Sequence, residues 1–239
     1  MSGSIRLFVT APLAPGAEIA ATAAQAHYLG TVMRRAAGDT VCLFNGRDGE
    51  WAARISQARR GAANFVVGQM LRPQAAEPDL WLVFALLKRD ATDLVIQKAT
   101  ELGVAAIWPV LTARTNAQRV NLARFHAIAT EAAEQSERLT VPTVHEPRPL
   151  AALLASWPVG RRLFVAAERT SAPTAPPPIV TMGEPAALLI GPEGGFMPAE
   201  LDVMRAHPLV TVVSLGPRIL RAETAAIAGL ARLQGAGWG

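Results

Sequence analysis

The stretch LLIGPEGGFMPAEL, residues 188–201, decides how the second half of the chain is read. Its apolar run stops at Gly191, and Gly194 and Gly195 follow at once. Pro198 and Glu200 then read as a helix start. A strand, a glycine turn and a helix in this order bring backbone N–H groups to a ligand. The two phosphate motifs fail here. The glycines at 191, 194 and 195 miss the G-x-G-x-x-G spacing, and Phe196 stands where a P-loop needs lysine. No Lys or Arg lies within 188–201 to neutralise a triphosphate. A tight turn that uses glycine only for positive φ is the plain alternative.

A second turn bears on the choice. SLGPRILRAETAAIAGL, residues 214–230, is again strand end, Gly-Pro turn and helix. Arg218 and Arg221 lie in that turn, and Glu223 falls in the first helical turn, where an acid suits the helix dipole. Two such turns at successive strand ends can line one pocket that is rich in backbone groups and poor in charge. That lining suits an adenine and a ribose better than a phosphate chain.

Around these turns the chain alternates. Strands are expected at 80–87, 104–110, 161–168, 186–190 and 209–215, with helices at 90–103, 121–138, 198–206 and 222–234. Asp90 is the expected N-cap of the first helix and Gly103 its C′ residue. Alternation of this kind argues a mostly parallel α/β sheet, whose ligands sit beyond the carboxyl ends of the strands. The first 70 residues differ. Short β-rich runs at 5–9, 40–45, 51–56 and 64–71, a hairpin turn at NGRDGE (45–50) and one helix near 22–36 point to a small barrel. LRPQAAEPD (71–79) reads as a linker, and the proline-rich 170–185 as a surface loop.

Composition narrows the class. With 51% apolar residues among 239, a sizeable core is available and disorder does not dominate. The longest apolar run, LWLVFALL, is too short to span a bilayer. The start lacks an apolar signal segment, and a single cysteine permits no internal disulfide, so a cytoplasmic protein is expected. Residues 1–72 hold eight arginines against four acids, which accounts for the whole formal excess of +4. Arginine forks onto phosphate oxygens, so a basic N-terminal module suggests a polyanion; a biased genomic composition would produce the same count.

The ordered set of RLFV, HYLGTVMRRAAGDTVCLFNG (27–46), IQKATELGV (96–104), EAAEQSER (131–138), LLIGPEGGF and LGPRILRAETA resembles the SPOUT class of RNA methyltransferases. More closely it resembles the ribosomal RNA small subunit methyltransferase E family, and the likeness runs nearly the full chain. The resemblance implies a PUA-like, RNA-binding β-barrel over 1–72, a linker at 73–79 and a SPOUT α/β domain over 80–239. That domain would carry a deep trefoil knot at about 186–225. It implies a homodimer, S-adenosyl-L-methionine as methyl donor without a metal, and methylation of N3 of one uridine in 16S ribosomal RNA of the small subunit. Two other readings stay open: another RNA position or a ribose 2′-OH as target, and a non-catalytic ribosome assembly factor that binds RNA.

Residue by residue, the resemblance carries donor binding to Leu189, Ile190, Gly191, Glu193, Gly194 and Gly195 in the first turn. In the second it carries it to Ser214, Leu215, Gly216, Ile219, Leu220 and Arg221. Glu168 could border the same pocket. Uracil N3 is a poor nucleophile until its proton leaves, and a nearby cation favours the uridinate form. Arg114, Arg221 and Arg218 are the candidate cations, with a phosphate clamp or an ion pair to Glu193 or Glu223 as alternative roles. Glu223 could accept the proton or hydrogen-bond the base, or simply stabilise its helix. Arg6, Arg34, Arg35 and Arg47 are the expected RNA contacts. Met197 stands where relatives carry a polar helix cap.

Overall fold

The computed structural model describes residues 5–59, 61–115, 120–167, 178–179 and 183–235. The chain divides into two compact units, one of residues 1–76 with 133–141, the other of residues 77–132 with 142–239.

The first unit is a five-stranded sheet of β1 (Arg6–Phe8), β2 (Glu18–Ala20), β3 (Thr40–Phe44), β4 (Glu50–Arg59) and β5 (Ala62–Arg72), ordered β1-β3-β4-β5-β2. β1 runs parallel to β3 and the other pairs are antiparallel. Register shifts along β4 coil the sheet around a core that includes Leu7, Leu43, Ile55 and Phe65. The 45–49 turn is held by Asn45, whose Oδ1 accepts from the N–H groups of Arg47 (3.1 Å) and Asp48 (2.9 Å). Gly49 closes it at φ +81°, where a Cβ would lie 2.3 Å from the Arg72 carbonyl. The helix expected at 22–36 is two pieces. α1 (Ala23–His27) opens on a Thr22–Gln25 capping box and continues as a π-helical turn, Tyr28–Val32.

Residues 133–141 complete this unit. Ala133 and Leu139 pack with Phe44, against the half-buried Phe8 and Val141. Arg6 fastens them. Its Nε meets Glu50 at 2.5 Å, and its two terminal nitrogens donate to the carbonyls of Ala133 (3.0 Å), Glu134 (2.9 Å) and Arg138 (2.7 Å).

The second unit is a parallel sheet. Its elements are β6 (Leu80–Ala85), α2 (Arg89–Glu101), β7 (Ala106–Leu111), α3 (Leu122–Gln135, of which residues 133–135 belong to the first unit), β8 (Thr143–Val144), β9 (Arg148–Pro149) and α4 (Leu150–Ala155). Then come β10 (Arg162–Ala166), β11 (Ala186–Ile190), α5 (Pro198–Ala206), β12 (Val210–Val213) and α6 (Ala222–Gln234). The strand order is β12-β10-β11-β6-β7-β8, with β9 also on β7. The opening LLI therefore ends β11, an interior strand with every residue buried.

One sheet face packs on Leu150, Leu153 and Leu154 of α4 and Met204 of α5. Against the other, α6 lies so close that a Cβ on Gly229 would sit 2.6 Å from Leu188 Cδ2. Gln234 Nε2 donates to the Leu102 carbonyl at 2.7 Å, joining the C-terminal ends of α6 and α2.

Two local expectations change. The N-cap of α2 is Lys88, and Asp90 falls in the first turn, where its charge meets the helix dipole instead of capping it. Gly103 does stand just past the helix at φ +79°. β2, β8, β9 and α4 add elements the sequence did not signal.

Candidate active site

Three loops leave the carboxyl edge of the second unit, after β7, β11 and β12. The first is braced by Thr112 and Thr115, whose hydroxyls lie 2.9 Å apart while the Thr112 N–H donates to Thr115 Oγ1 at 3.0 Å. This fixes the chain on either side of Arg114. The Arg114 Nη1 donates to the Gly194 carbonyl at 2.5 Å, drawing the β7 loop onto the glycine turn. Glu200, in the first turn of α5, reinforces the crossing. One carboxylate oxygen accepts from Ala113 N–H at 2.9 Å and the other from Met197 N–H at 2.8 Å. Met197 has no oxygen with which to cap, as its sequence implies, but Glu200 supplies the reverse half of a capping box.

The glycines of the β11 turn have different tasks. A Cβ at Gly191 would lie 3.0 Å from the Phe196 ring, so this position lets the ring fold back over the strand end. Gly195 takes φ +69° and donates to the Pro192 carbonyl at 2.8 Å. Gly194 is outside the left-handed region; what limits it is bulk, since a Cβ would lie 3.3 Å from Arg114 Cδ. In the β12 turn Gly216 takes φ +129°, its N–H donates to Ser214 Oγ at 3.2 Å, and a Cβ there would meet open space.

Side chains sort the remaining expectations. Leu189 and Ile190 are buried (0% and 3% exposed), so their side chains belong to the core and only their backbone can face a ligand. Leu215 and Leu220 are half-buried and Ile219 is 58% exposed, so these three keep side-chain surface that Leu189 and Ile190 do not. Arg221 is the N-cap of α6, its exposed side chain free of the cap, and Glu223 sits half-buried in the first turn. Glu193 and Arg218 are exposed. Among the described residues neither they nor Arg221 and Glu223 form an ion pair, so that alternative role is not seen. Glu168 and most of the 170–185 loop lie outside the described residues.

Of the four arginines expected to meet RNA, Arg6 is corrected. Its side chain is 8% exposed, its donors are occupied internally, and its guanidinium lies 4.5 Å from the Phe44 ring centre. Arg34 and Arg35 are exposed beside Val32 and Met33, on the bend after the π-turn, with Arg34 at φ +52°. Arg47 is half-exposed and donates to the Thr10 carbonyl at 3.0 Å. The sequence reading missed Glu200 as a brace, although its place three residues after Met197 is the capping-box spacing.

Comparison with known proteins agrees with this architecture. Residues 75–234 match the family described as RNA methyltransferase domain, and residues 21–67 match RNA methyltransferase PUA domain. The Rickettsia conorii ribosomal RNA small subunit methyltransferase E is 32% identical over 96% of this chain and 94% of that protein. The Bacillus subtilis protein of the same name is 29% identical over 89% of this chain and 88% of its own. The crystal structure of a ribosomal RNA small subunit methyltransferase E from Neisseria gonorrhoeae, bound to S-adenosyl methionine, superposes with a TM-score of 0.87. It is 27% identical and covers 97% of each chain. An α/β methyltransferase unit joined to a PUA domain, with full-length likeness on both, leads to one conclusion: the chain belongs to the RNA methyltransferase family of ribosomal RNA small subunit methyltransferase E.

Proposed function

We propose that the protein methylates N3 of a specific uridine in 16S ribosomal RNA of the small subunit, using S-adenosyl-L-methionine. The observation that carries the reading is the Arg114–Gly194 contact, which sets a fixed cation at the lip of a glycine turn. The turns fit the donor. Gly195 and Gly216 leave backbone open, and Leu215, Ile219 and Leu220 offer apolar faces in the same pair of turns. When bound, the donor supplies a methyl group already activated by its sulfonium.

The protein's task is then position and charge. Arg114 and Arg221 flank the edge and stabilise negative charge growing on the uracil as N3 loses its proton. Glu223 accepts that proton or hydrogen-bonds the base. Arg34, Arg35 and Arg47 hold RNA phosphates from a PUA-like barrel, residues 1–72, with 73–79 as the link to a SPOUT domain over 80–239.

We further propose that this domain is knotted and dimeric. Support for threading comes from the strand order. β12 ends the sheet beyond β10, yet α6 packs on β11 and β6, so residues 214–221 bring the chain back across the sheet, a path that a threaded segment would also take.

The test is nucleoside mass spectrometry of 16S RNA from a strain lacking the protein. Loss of one 3-methyluridine, restored by the wild type and not by Arg114→Ala, is expected. Persistence of the full 3-methyluridine signal overturns the proposal.

A further inference from the structure

A cavity of about 260 Å³ opens where α2 and α3 begin, next to the carboxyl end of β6. It shares no residue with the glycine turns. Leu86, Leu87 and Phe125 supply apolar wall, and Arg89, Asp93, Asn121 and Arg124 supply polar groups. Phe125 is 6% exposed and fixed, so the wall is preformed. Thr92 also lines it, but its hydroxyl is spent on the Leu87 backbone, at 3.1 Å to the carbonyl.

The polar groups combine donors with one acceptor. The Arg124 guanidinium grips Asp93 with Nε at 3.1 and 3.0 Å from the two oxygens and Nη2 at 2.5 Å from one. The hydrogen bonds to Asp93 raise the Arg124 pKa above its usual value against the opposing effect of burial, and the charges of Asp93 and Asp90 add to the rise, so the group stays charged. A carboxylate accepts about four hydrogen bonds, so Asp93 keeps acceptor capacity. Among the described residues Arg124 Nη1 has no partner. Asn121 caps α3 with its oxygen, at 3.1 Å from the Arg124 N–H, leaving its amide NH₂ as a donor. Donor, acceptor and donor thus come from Asn121, Asp93 and Arg124 around one apolar slot.

That is the complement of the uracil edge, which offers carbonyl, N–H and carbonyl. Cytosine would set its N3 lone pair against the Asp93 carboxylate. A bare phosphate would meet the same carboxylate and gain nothing from the leucines and Phe125. Arg89, exposed at the rim and without a hydrogen-bond partner among the described residues, suits the phosphate attached to such a base.

We infer that this cavity reads an unstacked uracil of the substrate RNA, other than the nucleotide that is methylated. The inference rests on the methyltransferase reading for its biological setting. The bound base would keep its N3 proton on Asp93, so it is a recognition subsite and not the reacting centre.

The test titrates uridine 5′-monophosphate, cytidine 5′-monophosphate and inorganic phosphate into full-length protein with labelled methyl groups. Uridine monophosphate should shift the Leu86, Leu87 and Val120 methyls and bind about tenfold tighter than the cytidine nucleotide. Asn121→Asp keeps the helix cap and removes the donor. It should weaken uridine monophosphate and raise KM for RNA by about tenfold, with donor affinity unchanged. Equal response to both nucleotides or to phosphate, or an unchanged KM in Asn121→Asp, overturns the inference. A wild-type protein that methylates no RNA would instead overturn the functional reading, because the nucleotide titration does not depend on turnover.

Discussion

The Arg114 guanidinium sits on the Gly194 carbonyl at 2.5 Å, so a side chain from one strand loop is set by the backbone of another. Position 194 tolerates little bulk for that reason. Gly194→Ala brings a methyl to 3.3 Å from a flexible arginine carbon, and affinity for S-adenosyl-L-methionine should fall less than tenfold. Gly194→Val should leave no binding measurable by calorimetry. Gly195→Ala strains a residue at φ +69°, which costs about 1–2 kcal/mol, or roughly tenfold in affinity. Wild-type affinity in Gly194→Val would refute this account of the turn.

Glu200 has two jobs, as helix cap and as anchor of the Ala113 N–H. Glu200→Ala should lose about 1 kcal/mol of stability, lowering Tm by roughly 2–4 °C. It should also reduce methylation more than this small loss explains, because the Arg114 loop is released. A melting curve and a single-turnover assay on the same preparation separate the two effects. A Tm drop with full methylation rate would show that the anchor has no catalytic consequence.

Arg6 is a structural cation. Arg6→Met leaves three carbonyls without their donor and Glu50 held by Arg72 alone, and should cost about 3 kcal/mol and lower Tm by roughly 10 °C. Burial pushes the Glu50 carboxyl upward, but hydrogen bonds and charge from Arg72 and Arg6 outweigh it and hold it below its ordinary 4.5. A depressed carboxyl stabilises the fold above pH 4.5, and that share is lost as pH falls further. Tm plotted against pH should steepen below 4.5 in the wild type and flatten there in Glu50→Gln. Identical curves would remove Glu50 from the account.

His145 lies flat on Trp108, ring centres 3.4 Å apart. Burial, and after it the charge of Arg148, lowers its pKa below 6.5. The folded protein therefore holds this ring neutral at a pH where the unfolded chain would protonate it. Stability is complete above 6.5 and declines as pH falls below it, a window separate from that of Glu50. His145→Phe should remove the decline between about pH 6.5 and 5 while keeping the stack. Denaturant titrations at these two pH values check it, and an unchanged slope in the variant contradicts it.

Arg34 and Arg35 are exposed and bear no internal load. Arg34→Glu with Arg35→Glu should leave Tm and donor binding near wild type. RNA affinity should fall, and the slope of its logarithm against log salt should drop by about 2. Filter binding across a salt series measures this. Loss of donor affinity in the double variant would contradict separate roles for the two units.

Legibility in the sequence followed locality. α5 and α6 run over the residues their proline, acids and apolar period announce, and β11 is the run that ends at Gly191. β2, β8 and β9 are two or three residues long, too short to carry a period, and α4 is one and a half turns between prolines. Arg6 reads as a surface residue within IRLFV because what buries it arrives more than a hundred positions later. Glycine spacing marked the turn but not which glycine needs positive φ; that depends on the 192–195 hydrogen bond. The Asp93–Arg124 pair joins two helices and leaves no trace in either alone.

The fit of Gly229 against Leu188 bears on the order in which the chain folds. β11 has its neighbours in β6 and β10, so it is placed only after distant segments have met. α6 has no complete seat until that strand exists, because the surface it lies on is built partly from the strand's own side chains and partly from α2. Non-local pairing of this kind slows folding, and the last helix should acquire hydrogen-exchange protection late in refolding. The segment 214–221 leads into that helix, so the proposed donor-binding edge should be the last part of the chain to mature.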